Sequence, residues 1–399
     1  MTLPSSGPLS LTQIQTEFGG PTPIQLGNYY RGGAYVPNTS TNASVPTTGA
    51  IGITSFYGAS NILPFNGFYA PAAMNGSGVT AQMLSVTVSS SGLFVAVGRN
   101  GNAYPLYATS TNGSTWTTPA LMNGSTTYAI MNSVAVNSSG LFVAVGYNSN
   151  VYPVYATSTN GSTWTTPAQM NGSTTVTFMN AVAVNSSGLF VAVGYNGNGY
   201  AVYATSTNGS TWTTPAQMNG STTNAQMQSV TVNSSGLFVA IGYNGSFQPL
   251  YATSTNGSTW TTPALMNGIT AQAIMASVAV NSSGLFVAVG SDGNGYPLYA
   301  TSTNGSTWTT PAVMNGSTTV ADMRSVTASS SGLFVAVGYN NNGYAVYAKS
   351  TNGSTWTTPA LMNGSTTVAY MESVTANSSG LFVAVGYDSS ILPVATYSY

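Results

Sequence analysis

The chain has 399 residues, of which 43% are hydrophobic and 11% aromatic, yet only 2% are charged, against about 25% in ordinary soluble domains. Its formal net charge of −1 offers no field to steer nucleic acid or anionic lipid. The absence of cysteine and histidine removes disulfide and thiolate chemistry and the commonest general base and metal ligand. These limits predict no catalytic residues, no metal, no cofactor, no nucleic-acid partner and no membrane insertion, with contacts nearly indifferent to salt. The opening residues Met1-Thr2-Leu3-Pro4-Ser5-Ser6-Gly7-Pro8 have neither a basic segment nor an apolar run, so no secretory signal is expected.

Residues 1–62 are expected to form a separate small unit. One pattern, apolar at i, i+2 and i+5, occurs there three times: Leu9/Leu11/Ile14, Ile24/Leu26/Tyr29 and Ile51/Ile53/Phe56. Each predicts an extended lead into one or two helical turns, with Ser10, Thr12 or Thr54 available as caps. So short a segment, rich in Gly and Pro, buries little surface alone and is expected to dock on the rest of the chain or on a partner. Its residues run Pro4-Ser5-Ser6-Gly7-Pro8-Leu9-Ser10-Leu11, then Ile14, Glu17-Phe18-Gly19-Gly20, Pro23-Ile24-Gln25-Leu26, Tyr29-Tyr30-Arg31-Gly32-Gly33 and Val36-Pro37. In this spacing the segment resembles an N-terminal module of structural proteins of marine tailed phages. The resemblance implies a virion protein of tail or fibre type, made in a host cytoplasm and released by lysis. It also implies that this module attaches the chain to other virion or self subunits.

Residues 63–399 repeat. Tryptophans recur every 48 residues at Trp116, Trp164, Trp212, Trp260, Trp308 and Trp356, and the glycine of Ser-Gly-Leu-Phe keeps the same period seven times, from Gly92 to Gly380. Within a unit, Ser133–Val136 and Leu141–Gly146 read as a hairpin, followed by Val154–Ser158 and then Trp164–Pro167. Four short strands per 48 residues, with no helical periodicity, predict the blade of a β-propeller. We label these strands A to D. The seventh unit stops after strand C at Pro393–Tyr399, while the stretch from Phe65 to Gly76 aligns with the strand D region when Phe68 stands for tryptophan. The sequence therefore predicts an all-β fold, a seven-bladed propeller whose ring closes when an N-terminal strand pairs with the C-terminal blade. An open β-solenoid is the other architecture, but it normally needs terminal caps.

The repeated Thr-Ser-Thr-Asn-Gly-Ser-Thr-Trp resembles the Asp-box, Ser-x-Asp-x-Gly-x-Thr-Trp, of sialidase-like (BNR) propellers. Thr109, Gly113, Thr115 and Trp116 match, whereas Thr111 stands where the aspartate belongs. The array has only Arg99 and Arg324 toward the arginine triad of that family, so the resemblance implies fold and not activity. In physical terms, Asn-Gly supplies a positive φ, hydroxyls satisfy turn backbone, and the indole packs between blades with a partner for its N–H. The tryptophans and Phe68 are accordingly structural.

The A–B and C–D turns hardly change between repeats, while the B–C and D–A connections do, and in an up-and-down blade those two emerge on one side. Asp322, Arg324 and Glu372 would form a small charged cluster there, with Arg99, Asp292 and Asp388 in the same loops. Tyr147, Tyr195, Tyr243, Tyr339 and Tyr387, beside Asn148, Asn196, Asn244 and Asn340, suit a neutral glycan through ring stacking and amide hydrogen bonds. The competing reading is that these loops drift under weak constraint and the tyrosines merely pack on their neighbours. The functional expectation is a non-enzymatic virion surface or fibre protein whose variable face contacts a host glycan or another subunit. Its alternatives are a soluble propeller lectin and a building block of a filament or lattice.

Overall fold

A computed structural model describes residues 3–39, 42–59, 65–76, 80–220, 224–268 and 272–398. It divides into a compact unit of Met1–Asn66 with Ser378–Leu381 and a larger one comprising Gly67–Asn377 and Phe382–Ser398. The boundary expected between residues 62 and 63 lies outside the described residues.

In the small unit all three echoes end in helical turns. Leu11–Phe18 is an α-helix (α1) held by a capping box, in which Ser10 Oγ accepts from Gln13 N and Gln13 Oε1 accepts from Ser10 N. Leu26–Asn28 and Ile53–Phe56 are single 3-10 turns without a side-chain cap, so of the three caps expected only Ser10 acts as one. The last residue of each echo, Ile14, Tyr29 and Phe56, is fully buried, and Leu9, Ile24, Leu26, Ile51 and Ile53 pack around them. Tyrosine hydroxyls tie chain reversals to this core: Tyr29 donates to Gly19 O and Tyr57 to Gly7 O.

The large unit is a seven-bladed propeller of four-stranded antiparallel sheets. In blade 1, strand A is Ala81–Val88, B Phe94–Asn100, C Pro105–Ser110 and D Ala120–Leu121. Blade 7 comprises Ala369–Ala376, Phe382–Asp388 and Pro393–Tyr397, and its fourth strand is Ala72–Ala73 from the front of the chain. The ring closes through Ala72↔Ala395 and Ala73↔Val394, reinforced by a bridge between Phe68 and Ser398 and by Tyr69 N donating to Tyr397 O.

One expectation needs correction. Strand D does not contain the tryptophan; it begins at the alanine after the proline, as at Ala120, and is two residues long. Thr117 is the reason. Its Oγ1 accepts from Thr109 N, 2.9 Å, displacing the carbonyl a ladder would supply, and Pro119 has no N–H to offer. The indole lies outside the strand and is buried between two blades.

There Trp260 joins Phe238, Val230 and Leu250 of its own blade to Val191 and Val193 of the preceding one, and Tyr203 of that blade lies 6.2 Å from it, ring to ring. Phe68 repeats the arrangement at the seam, 5.6 Å from Tyr347. The turn before each indole is satisfied internally. Asn112 Oδ1 accepts from Ser114 N and Thr115 N, Gly113 takes φ 75°, and Trp116 Nε1 donates to Gly113 O at 3.0 Å. The turn's acceptor is thus the amide of Asn112, one residue after Thr111, which holds the place of the Asp-box aspartate.

Blades are also latched. Asn123 Nδ2 donates to Thr166 Oγ1 of the next blade at 2.7 Å, and the same link recurs from Asn75–Thr118 to Asn315–Thr358. At the seam, Ala70 occupies the place of the threonine.

Candidate functional site: the axial cavity

Every strand A carries a β-bulge, for example between Met83 and Ser85 opposite Gly98–Val97. A bulge adds one residue to one strand and re-aims its side chain. The added residues are Leu84, Asn132, Asn180, Gln228, Ala276, Arg324 and Glu372, one per blade, and all seven line a single cavity of roughly 480 Å3. The facing glycine makes this possible: a Cβ on Gly146 would collide with the Ile130 carbonyl oxygen that the bulge turns toward it. A chain from each blade meeting at one cavity places it on the propeller axis.

A ring of hydrogen bonds fixes the bulges. Ser85 Oγ accepts from Val134 N of the next blade at 3.1 Å, and equivalent bonds run from Val86 to Ser373, Val182 to Ser133, Val278 to Ser229, Val326 to Ser277 and Val374 to Ser325. Ala181 stands at the seventh position, where Val230 therefore meets a methyl group. Asn132 and Asn180 add a second link, donating to the Met179 and Met227 carbonyls of the following blades at 2.9 Å.

The cavity has two chemically distinct walls. On blades 2 to 4, Tyr147 lies edge-on to Phe178 at 5.0 Å, and Phe178 stacks on Tyr195 at 4.6 Å, with Tyr243 beside them. Burial raises the pKa of Tyr147, Tyr195 and Tyr243, so these phenols stay protonated and can donate. On blades 6 and 7, Arg324 Nε reaches Glu372 Oε2 and Arg324 Nη1 reaches Asp322 Oδ2, both at 3.3 Å. Desolvation works against the guanidinium charge, but the Glu372 and Asp322 carboxylates more than offset it and hold its pKa above the ordinary value. Burial raises the pKa of Glu372, with Arg324 opposing. The Tyr339 hydroxyl donates to Asp322 Oδ2 at 3.4 Å, and its pKa is pushed up to about 12, chiefly by burial.

The sequence-predicted residues separate into two groups. Tyr147, Tyr195 and Tyr243 are brought together on the cavity wall, Tyr339 sits against the charged cluster, and Tyr387 packs on Tyr370 at 5.2 Å. All five lie at the ends of B strands, not in the B–C loops where the sequence placed them. Asn148, Asn196, Asn244 and Asn340 close those B strands, and each Oδ1 accepts two loop N–H groups, Asn148 from Asn150 and Tyr152. Asp292 and Asp388 hold the same position and accept the same two bonds. Arg99 lies in strand B, and Asp322, Arg324 and Glu372 lie in A strands, again not in loops. The Asp322–Arg324–Glu372 cluster does assemble.

The bulge series itself was not singled out from the sequence, although its signal is there: Met-x-Ser/Ala-Val keeps its flanks in all seven units while x is Leu, Asn, Asn, Gln, Ala, Arg and Glu. Among the described residues no group of three acidic side chains could hold a metal ion.

No protein family matches the sequence, and no curated protein matches it. Solved structures do match in fold. The BP39L lectin from Burkholderia pseudomallei has a TM-score of 0.63 at 13% identity, over 80% of this chain and 98% of its own. A catalytically inactive virginiamycin B lyase from Staphylococcus aureus, with quinupristin, has a TM-score of 0.61 at 9% identity, over 82% and 99%. YCF48 bound to D1 peptide has a TM-score of 0.58 at 14% identity, over 84% and 98%. At these identities the likeness shows the propeller and nothing of its chemistry.

Proposed function

We propose that this chain is a non-enzymatic propeller lectin that takes a neutral, hydroxylated ligand, a glycan, in its axial cavity. The observation that carries this reading is the cavity's composition: protonated phenols and a stacked Phe178–Tyr195 pair on one wall, amides of Asn132, Asn180 and Gln228 around it, and carboxylates already paired with Arg324. Aromatic faces stack on the C–H surface of a sugar, and amides and phenols match its hydroxyls. A volume of roughly 480 Å3 falls within the ordinary range for small-ligand sites. That a lectin, BP39L, has the same fold supports the reading.

The test is an array of neutral glycans probed with the full chain and with Tyr195→Ala. Retention of one glycan class by the wild type, with signal lost in the variant, supports the lectin. A blank array for the wild type, or equal signal from both proteins, refutes it.

A second reading concerns where the lectin works, and it rests on the Pro4–Pro37 spacing that resembles the phage module. In that reading the small unit attaches the propeller to other virion or self subunits, and the protein acts outside the host after lysis. Deleting residues 1–60 should abolish incorporation into particles while glycan binding survives; incorporation of the truncated chain would exclude it.

A further inference from the structure

The axial cavity carries on blades 6 and 7 an ion pair that blades 1 and 5 do without. At the same bulged position blade 1 has Leu84 and blade 5 has Ala276, so the ring accommodates an apolar side chain there. Arg324 and Glu372 stand at two of these positions although the whole chain has only nine charged residues, four basic and five acidic. Taking charges out of water carries a desolvation penalty that an apolar pair avoids, so stability alone does not account for them. Asp322, which is outside the cavity lining, holds Arg324 in place. Its Oδ1 accepts from Ser291 Oγ at 3.0 Å, and its Oδ2 accepts from Arg324 Nη1 and from the Tyr339 hydroxyl.

The pair is only partly satisfied within the chain. Arg324 gives Nε to Glu372 Oε2 and Nη1 to Asp322 Oδ2, while among the described residues nothing meets Arg324 Nη2 or Glu372 Oε1. Both side chains line the cavity, and that of Arg324 is 38% exposed. Nη2 shares with Nε the edge of the planar guanidinium that meets Glu372, so a free donor and a free acceptor stand side by side on the wall. A ligand that meets both must donate and accept along one edge. A carboxylate or phosphate only accepts, and it would face two carboxylates of its own sign; an ammonium only donates, and it would face Arg324. An N-acetyl group has both functions, but its trans amide points C=O and N–H in opposite directions. Two hydroxyls on adjacent carbons fit, one donating to Glu372 Oε1 and its neighbour accepting from Arg324 Nη2.

We propose that Arg324 and Glu372 are the specificity-determining residues of the axial cavity and that they read a vicinal diol, so that the ligand is a neutral hexose with two adjacent unsubstituted hydroxyls. The proposal rests on the lectin reading above. In the ring of seven blades, Leu84 on blade 1 and Ile274 with Ala276 on blade 5 separate the charged wall from the phenols and amides of blades 2 to 4. The aromatic wall holds the sugar ring, and the ion pair selects among sugars by the hydroxyls they present.

The test is calorimetric titration of the full chain with the methyl glycosides of glucose, galactose and mannose and with their monodeoxy and mono-O-methyl derivatives. For the wild type and the hexose that binds best, removing either hydroxyl of one adjacent pair should weaken binding about tenfold, as expected for a hydrogen bond to a charged group. Deoxygenation elsewhere should cost less. Glu372→Ala, which places at blade 7 the residue that blade 5 already carries, should weaken the parent sugar about tenfold and bind the parent and the critical deoxy sugar alike. Glu372→Gln keeps an acceptor and should retain part of the discrimination, which preserves the test if the alanine variant does not fold. Tyr195→Ala should weaken parent and deoxy sugars by the same factor. Wild-type affinity indifferent to every single deoxygenation, or a parent-to-deoxy ratio unchanged in both Glu372 variants, overturns the diol reading while leaving the axial lectin standing. No binding of any of the three hexosides overturns both.

Discussion

Trp260 and Gln228 belong to the same blade and the same 48-residue period, yet they obey opposite rules. The position of Trp260 is tryptophan in six repeats and Phe68 in the seventh; that of Gln228 is filled by six different residue types. The first is buried where two blades meet, so its volume and its indole N–H are set by neighbours that are themselves repeated. The second is the bulged residue on the axis, whose backbone is fixed by the ladder and by Ser-to-Val bonds while its side chain faces open space. A symmetric scaffold can therefore afford an asymmetric centre. The comparison teaches that in such an array constancy marks the contacts between blades, and variation marks the surface released from them.

The sharpest way to break the comparison is to truncate both residues. Trp260→Ala should cost about 3–5 kcal/mol in chemical denaturation, the range for a buried aromatic. Gln228→Ala should stay within about 0.5 kcal/mol of wild type, as expected for a side chain outside such features. In the glycan titration the ranking should invert, with Gln228→Ala losing affinity at unchanged stability. Comparable destabilisation by the two would mean that the axial residues are framework after all.

The ring of serine hydroxyls offers a finer test because the chain already contains its own variant. Ser133→Ala leaves Val182 N without its acceptor in a part-buried setting, which should cost about 1–2 kcal/mol. Ala181→Ser supplies the missing acceptor to Val230 and should stabilise by about 0.5–1.5 kcal/mol. If restoring the seventh bond leaves the denaturation midpoint unchanged, the bonds position the bulges without contributing to stability.

The legibility of the sequence followed the same division. The period, the four strands, the donated strand and the inter-blade indole were all readable, because each depends on neighbours that repeat with it. Strand D was misplaced by a few residues because its hydrogen bonding is decided by Thr117 Oγ1, a side-chain acceptor that strand periodicity does not register. The bulge escaped for a related reason. One extra residue between Met83 and Ser85 breaks the two-residue alternation from which facing is inferred, so Leu84 and its equivalents could not be assigned to the axis by pattern alone. Only their variability betrayed them. Asn148 and its equivalents misled in the opposite direction: polar and set beside variable loops, they serve mainly to hold loop N–H groups.

Acidity gives the smallest expected effect and needs no mutation, since the carboxyl group of Glu372 on the axis titrates with a raised pKa while the buried indoles do not titrate. Burial raises the pKa of Glu372 in the folded chain, with Arg324 only partly opposing it, so the folded state resists ionising this group more than the unfolded state does. Its contribution to stability is then fully present below the unfolded value, about 4.3, and is lost as pH rises through the folded value. Stability should therefore increase slightly on going from pH 7 to about pH 4, opposite to the usual trend for a paired carboxylate. Arg324 stays charged throughout, because its own pKa is raised by the two carboxylates despite desolvation. Thermal melts across that range, with wild type and Glu372→Gln side by side, provide the check. The rise should vanish in the variant; a rise that persists would place the pH response outside the axial cluster, and a fall in the wild type would mean that the pairing with Arg324 outweighs the burial.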